Sequence, residues 1–224
     1  MTTAIDRFSD PLYTPAEAAR YLGVPDSTFR TWSRGAAVVT SFDRPRGHAS
    51  VPFVGLAEAY TLRALREAGL PLQRIRPALA ALERELGLAH ALASQRLFTD
   101  GVEVLYDFST GTSDTDVRSA ARELVVVRDG QRVLHEVVQR YLMRVDYGDG
   151  YAQVLPLPGY GEASVIADAR RSFGQPIFSH GAARVADAMS MVRAGEGLDV
   201  VADEFGVPRL ELEEVLRVAR GRAA

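Results

Sequence analysis

The sequence predicts an α+β fold, mainly α, in three parts: a helical stretch over residues 1–88, a β-hairpin-rich middle over 89–160, and a second helical stretch over 161–224. Three observations carry this. Helix start and stop signals, with apolar residues at helical spacing, fill both ends of the chain. Between them, three pairs of β-prone runs flank Asp-Gly or Gly-Asp-Gly turns. Basic charge gathers in one short stretch of a chain whose net charge is −3.

Thr14-Pro15-Ala16-Glu17 opens the first helix, with Thr14 as N-cap, Pro15 at the first helical position and Glu17 closing a capping box. Ala18, Ala19 and Leu22 supply its buried face, and Gly23 stops it in the left-handed conformation. Val24-Pro25 makes the turn, and Asp26 or Ser27 is the expected cap of a second helix through Thr28, Phe29 and Trp32. Two short helices joined by a glycine-containing turn form a helix-turn-helix. Phe29 and Trp32 are assigned to the core. Ser27, Thr28, Arg30, Thr31 and Arg34 are the candidate DNA contacts of the second helix, because short hydroxyls and arginine suit phosphates and base edges.

Residues 36–53 are β-prone around Val38, Val39, Thr40 and Phe42, then run into Arg44-Pro45-Arg46-Gly47-His48. A short hairpin is expected here, a wing that sets Arg44, Arg46 and His48 against the phosphate backbone. From Ser27 to Ser50 there are four arginines against one acid, Asp43, a local charge of +3. That stretch is the candidate nucleic-acid footprint. Two further helices are expected, one through Leu56, Tyr60, Leu62 and Leu65, the other from Leu72 through Ile75, Leu79, Leu82 and Leu86. Arg63, Arg66, Arg74 and Arg76 on them read as a solvated face.

In the middle, Leu97–Thr99 and Val102–Phe108 flank Asp100-Gly101, and Leu124–Arg128 and Gln131–Val138 flank Asp129-Gly130. Arg144–Tyr147 and Tyr151–Leu157 flank Gly148-Asp149-Gly150. The polar run Ser109–Asp116 reads as a loop, and Asp114 and Asp116 as turn formers rather than a metal cluster. His135 has no neighbour in sequence that would make it catalytic.

After an extended lead-in at Phe173–Phe178, helices are expected over Arg184–Ala194, over Leu198–Phe205, and from Leu210 through Val215 and Val218. The corner Phe205-Gly206-Val207-Pro208 echoes Leu22-Gly23-Val24-Pro25, which makes this a second helix-turn-helix candidate. Arg209 and Arg217 are its candidate DNA contacts. Glu211, Glu213 and Glu214 on the same helix would repel phosphate.

Composition bounds the function. The chain has 224 residues, 47% hydrophobic and 25% charged, as in ordinary globular proteins. The absence of cysteine excludes disulfides, cysteine zinc sites and thiol catalysis. No apolar run is long enough to span a bilayer, and Met1–Asp10 does not read as a signal peptide, so a cytoplasmic protein without membrane contact is expected. All 26 basic residues are arginine. Phosphate and guanine recognition or codon bias would each produce that, and the count alone decides nothing. There is no Ser-His-Asp order, phosphate-binding loop, dinucleotide fingerprint or metal-ligand spacing, so no enzyme, cofactor or metal is expected.

Two family resemblances rest on quoted stretches. Tyr13–Ala19, Leu22-Gly23-Val24, Ser27–Gly35 and Leu62–Ile75 resemble the DNA-binding domain of MerR-type regulators. Gly47-His48-Ala49-Ser50 departs from the Gly-Tyr-Arg usual after the wing of that family, and the family's long dimerising coiled coil is not evident. At the far end, Gly174–Phe178, Arg184–Asp187, Ala194-Gly195-Glu196 and Val201–Val207 resemble a helical family found among bacterial antitoxins whose toxins have a PIN-like ribonuclease fold. The whole arrangement is similar to a long VapB-type antitoxin. The resemblance implies a non-enzymatic homodimer that represses its own operon at operator DNA and neutralises a PIN-like ribonuclease toxin by contact. The competing expectation is a stand-alone MerR-like transcription regulator whose middle module senses a ligand.

Overall fold

The computed structural model describes residues 5–35, 37–73, 75–76, 79–80, 83, 87–99 and 142–222. Helix α1, Pro15–Leu22, begins as its sequence dictates. Glu17 N–H donates to Thr14 Oγ1 at 3.2 Å, and Thr14 N–H donates back to Glu17 Oε2 at 2.8 Å. Gly23 closes it at φ 66°, where a Cβ would be strained. Helix α2, Asp26–Ser33, starts differently from expectation. Pro25 holds the cap position, and neither Asp26 nor Ser27 caps it, because the helix already includes both. Asp26 acts instead through its charge in the first turn. Ala18, Ala19, Tyr21 and Leu22 of α1 are buried with Phe29 and Trp32 of α2.

Helix α3, Phe53–Glu67, is buried at twelve of its fifteen positions, which makes it the central helix rather than an amphipathic cover. Positions 72–73, 75–76, 79–80 and 83 are helical as well.

Between α2 and α3 the β-prone run forms no strand pair among the described residues. The backbone amides explain this. Val38 and Val39 both donate to Trp32 O, at 2.9 and 3.1 Å, so they terminate α2 instead of entering a ladder. Residues 41–50 are an irregular loop closed by Phe42 N–H to Ser50 O at 2.8 Å, with a turn at its tip from His48 N–H to Pro45 O at 3.1 Å. Its return leg is anchored by an isolated bridge between Val51 and Tyr13.

The middle of the chain matches expectation at one hairpin. Strands β1, Asp146–Gly148, and β2, Tyr151–Pro156, pair antiparallel around Asp149 and Gly150, both at positive φ as a primed two-residue turn requires. Leu97–Thr99, expected as a strand, lies in a helical turn, Arg96–Thr99, that follows a 3₁₀ turn at Ala91–Ala93. The expected strands Val102–Phe108, Leu124–Arg128 and Gln131–Val138 fall outside the described residues, as do the Ser109–Asp116 loop and His135.

The stretch after Glu162, read as helical with an extended lead-in at Phe173–Phe178, begins with two more strands, the second of them inside that lead-in. β3, Val165–Asp168, and β4, Ile177–Phe178, extend the sheet in the order β1-β2-β3-β4, antiparallel throughout. Strands of four and two residues are too short to show a period. Phe173 is not extended either: it stands at φ 53° in a 3₁₀ turn, Ser172–Gly174, and is 58% exposed.

Helices α4, Val185–Arg193, α5, Leu198–Phe205, and α6, Arg209–Gly221, complete the chain. Gly206, at φ 61°, turns α5 into α6. One apolar cluster runs from Leu22 and Phe29 through Leu56 and Leu62 to Leu155, Val201 and Leu212. Among the described residues no helix is long and apolar enough to cross a membrane.

Candidate nucleic-acid interface

The capping of α1 and the looping of residues 41–50 have a joint consequence. The N-terminus of α1, the second half of α2 and the loop enclose a cleft of about 630 Å³. Its walls include Thr14, Arg30, Ser33, Arg34, Arg44, Arg46 and His48. Five of the eight candidates from the first helix-turn-helix therefore meet in one place. Ser27, Thr28 and Thr31 share α2 with Arg30 but do not line the cleft; Ser27 and Thr31 are exposed and Thr28 is half-buried. The Thr31 hydroxyl donates to Ser27 O at 3.0 Å, a local bond that phosphate or water can replace.

Charge in the cleft is unevenly available. Arg30 Nη2 lies 2.6 Å from Asp26 Oδ2, one turn away on the same helix. Arg34, Arg44 and Arg46 are exposed and have no ion-pair partner among the described residues. A polyanion would meet three open guanidiniums and a fourth that must first leave Asp26. Asp43 is the lone acid in the wall.

Three arginines read from sequence as a solvated face instead satisfy backbone carbonyls. Arg63 Nη1 donates to Leu22 O at 2.7 Å, at the end of α1; Arg66 Nη1 donates to Leu70 O at 2.7 Å. Arg76 Nη2 donates to Thr31 O at 3.2 Å, at the end of α2. Arg74 is outside the described residues. Behind the cleft, buried Glu58 accepts the Thr40 N–H at 2.6 Å and contacts His90 Nδ1 at 2.8 Å. That bond raises the His90 pKa above the usual imidazole value, against the opposing effect of burial. Sequence reasoning missed this pair. The available signal was an acid in the middle of an otherwise apolar helical run.

Arg209 and Arg217 stand apart on α6. Arg209 Nη1 lies 2.5 Å from Asp199 Oδ1 and its Nε 2.8 Å from Glu213 Oε1. Arg217 Nη2 lies 2.7 Å from Glu214 Oε1. Both guanidiniums are thereby held more firmly charged, Arg209 by Glu213 and Asp199, Arg217 by Glu214.

Residues 11–79, which span α1, α2, the loop and α3, match the family described as "Putative DNA-binding HTH domain". Over 226 residues the chain is 44% identical to a Mycobacterium tuberculosis protein named "Putative antitoxin VapB45", with 94% of each covered. Its fold matches the crystal structure of Rv2018 from Mycobacterium tuberculosis with a TM-score of 0.78 at 46% identity, over 94% of this chain and 99% of that one. On this likeness over nearly its whole length, the chain belongs to the family of VapB-type antitoxins and carries a DNA-binding helix-turn-helix domain at its front.

Proposed function

We propose that this protein is the antitoxin of a type II toxin–antitoxin pair, which represses its own operon and neutralises a PIN-like ribonuclease toxin by direct contact in the cytoplasm. The observation that supports the DNA half is the cleft. It sets Arg34, Arg44 and Arg46, all unpaired among the described residues, beside Arg30 and His48 at the outer edge of a helix-turn-helix. In this reading α2 enters the major groove in the manner of MerR-type regulators. Ser27, Thr28, Arg30 and Thr31 face bases and nearby phosphates, and Arg34 and the loop hold the backbone as a wing does. Arg209 and Arg217 would reach phosphate only after releasing Asp199, Glu213 and Glu214, so the operator falls to residues 1–88. Residues 161–224 are assigned to the toxin, and two copies on a palindromic site make the working unit a homodimer.

Two measurements test the two halves. Fluorescence anisotropy with DNA from upstream of the protein's own gene is expected to show tight, salt-dependent binding; binding no tighter than to unrelated DNA overturns the repressor half. Co-expression with the product of the adjacent reading frame is expected to rescue growth and yield a co-purifying complex. Failure of both overturns the toxin half.

A further inference from the structure

Glu58 is the one charged side chain among the buried residues of α3, and it is 4% exposed. A buried carboxylate is costly unless paired. Both of its oxygens are engaged, Oε2 by the Thr40 N–H at 2.6 Å and Oε1 by His90 Nδ1 at 2.8 Å, and Thr40 Oγ1 lies 3.3 Å from the same imidazole nitrogen. Gly55 packs on the other side of Thr40, where any Cβ would run into the Thr40 carbonyl oxygen. The backbone of Thr40 is thus gripped at both its amide and its carbonyl, one residue before the loop that carries Arg44, Arg46 and His48. The loop's own bonds lie at its neck and tip: the closing bond and tip turn, the Ser41 hydroxyl to Ser50 O at 3.3 Å and Ser50 Oγ at 3.2 Å, and Ser50 N–H to Tyr13 O at 2.9 Å.

We propose that Glu58 and His90 are positioning residues for DNA binding, which clamp Thr40 and so hold the 41–50 loop at the angle the cleft with α2 requires. This rests on the DNA-binding reading of the cleft. Neither residue touches DNA; both act through the loop. The groups facing His90 are Glu58 from α3, Glu83 from the helical positions after α3, the Thr40 hydroxyl, Phe8 with its ring centroid at 5.5 Å, and Tyr151 of β2 at 6.5 Å. Arg76 lines the same recess, and Arg7 stacks on Phe8 and Tyr151. Glu58 and Glu83 both favour the imidazolium. The clamp is therefore complete below the ordinary imidazole pKa of about 6.5 and weakens as pH rises through the raised value of His90.

The test uses the full-length protein, a DNA fragment from upstream of its own gene, and anisotropy between about pH 6 and pH 9. Glu58→Gln is expected to weaken binding roughly tenfold in the otherwise native protein. In an Arg44→Ala/Arg46→Ala background, where the loop has lost its grip on phosphate, the same change is expected to cost little. His90→Asn, which suits the positive φ of 53° at that position, is expected to flatten the pH profile. It keeps the test open should Glu58→Gln not fold. An equal Glu58→Gln loss in both backgrounds, or an unaltered pH profile in His90→Asn, overturns the inference alone. If Arg44→Ala/Arg46→Ala binds like the native protein, the DNA-binding reading of the loop falls first and the inference with it.

Discussion

Arg222 donates through Nη2 to the carbonyl oxygen of Arg20 at 3.1 Å, across 202 residues of sequence. The same nitrogen donates to Gly159 O. Arg20 lies in the last turn of α1, where its carbonyl already accepts the Gly23 N–H at 3.2 Å, so the end of α6 adds a second, charged donor to the C-terminus of the first helix of the helix-turn-helix. Burial lowers the Arg222 pKa from its usual value, and neighbouring Arg20 acts in the same direction. Arg222→Ala is expected to destabilise the protein by about 1–3 kcal/mol, since two carbonyls lose a charged donor. Arg222→Lys should recover part of that. Urea unfolding checks it, and an unchanged midpoint in Arg222→Ala would remove the cap from the account.

Gly159 sits beneath the same contact. A Cβ there would meet the carbonyl oxygens of Arg20 and Tyr21, which are backbone atoms and cannot swing aside. Gly159→Ala is expected to cost about 1–3 kcal/mol by overpacking, measured by thermal unfolding. The loss should be partly shared with Arg222→Ala in the double variant, because the two changes act on one interface.

How much of this was legible in sequence follows from the range of the interactions involved. The capping box at Thr14 and Glu17, the stop at Gly23 and the bounds Leu198–Phe205 are local chemistry, and each stands where its residues placed it. The hairpin expected from Val38 and Val39 failed because their amides turn back to Trp32 O, a helix-end requirement that outweighs β propensity. The strand at Leu97–Thr99 failed because apolar runs of three residues carry no period. In the cleft, Arg30, Arg34, Arg44 and Arg46 could be found by counting charge. The Glu58–His90 tie joins residues 32 positions apart; an acid in an apolar helical run marks Glu58, but no local pattern names its partner.

Acid should loosen the α6 end in a defined way. Glu214 accepts from Arg217 and from the Glu162 N–H, the latter at 3.1 Å, and these bonds hold its carboxyl at about 2. A carboxylate with a depressed folded-state pKa contributes stability that is present above its unfolded value, near 4.5, and lost as pH falls toward 2. Unfolding measured across that window should show a smaller pH dependence in Glu214→Gln than in the native protein. An identical dependence would detach Glu214 from acid stability.

The cleft makes separable predictions for its arginines. Arg44 and Arg46 sit on an exposed loop without acid partners among the described residues, as phosphate contacts do. Alanine at either should weaken binding to all sequences alike and lower the slope of log affinity against log salt by about one. Arg30 sits on α2 and is paired with Asp26 at 2.6 Å. Arg30→Ala should cost about 1–3 kcal/mol at the operator and relax preference at one base position. Asp26→Asn works in the opposite sense, because it releases the Arg30 guanidinium and removes a negative charge facing phosphate. It should tighten binding to operator and to unrelated DNA together. Titrations at several salt concentrations measure all four variants. Native affinity in Arg30→Ala, Arg44→Ala and Arg46→Ala, with folding intact, would move the DNA site away from this cleft altogether.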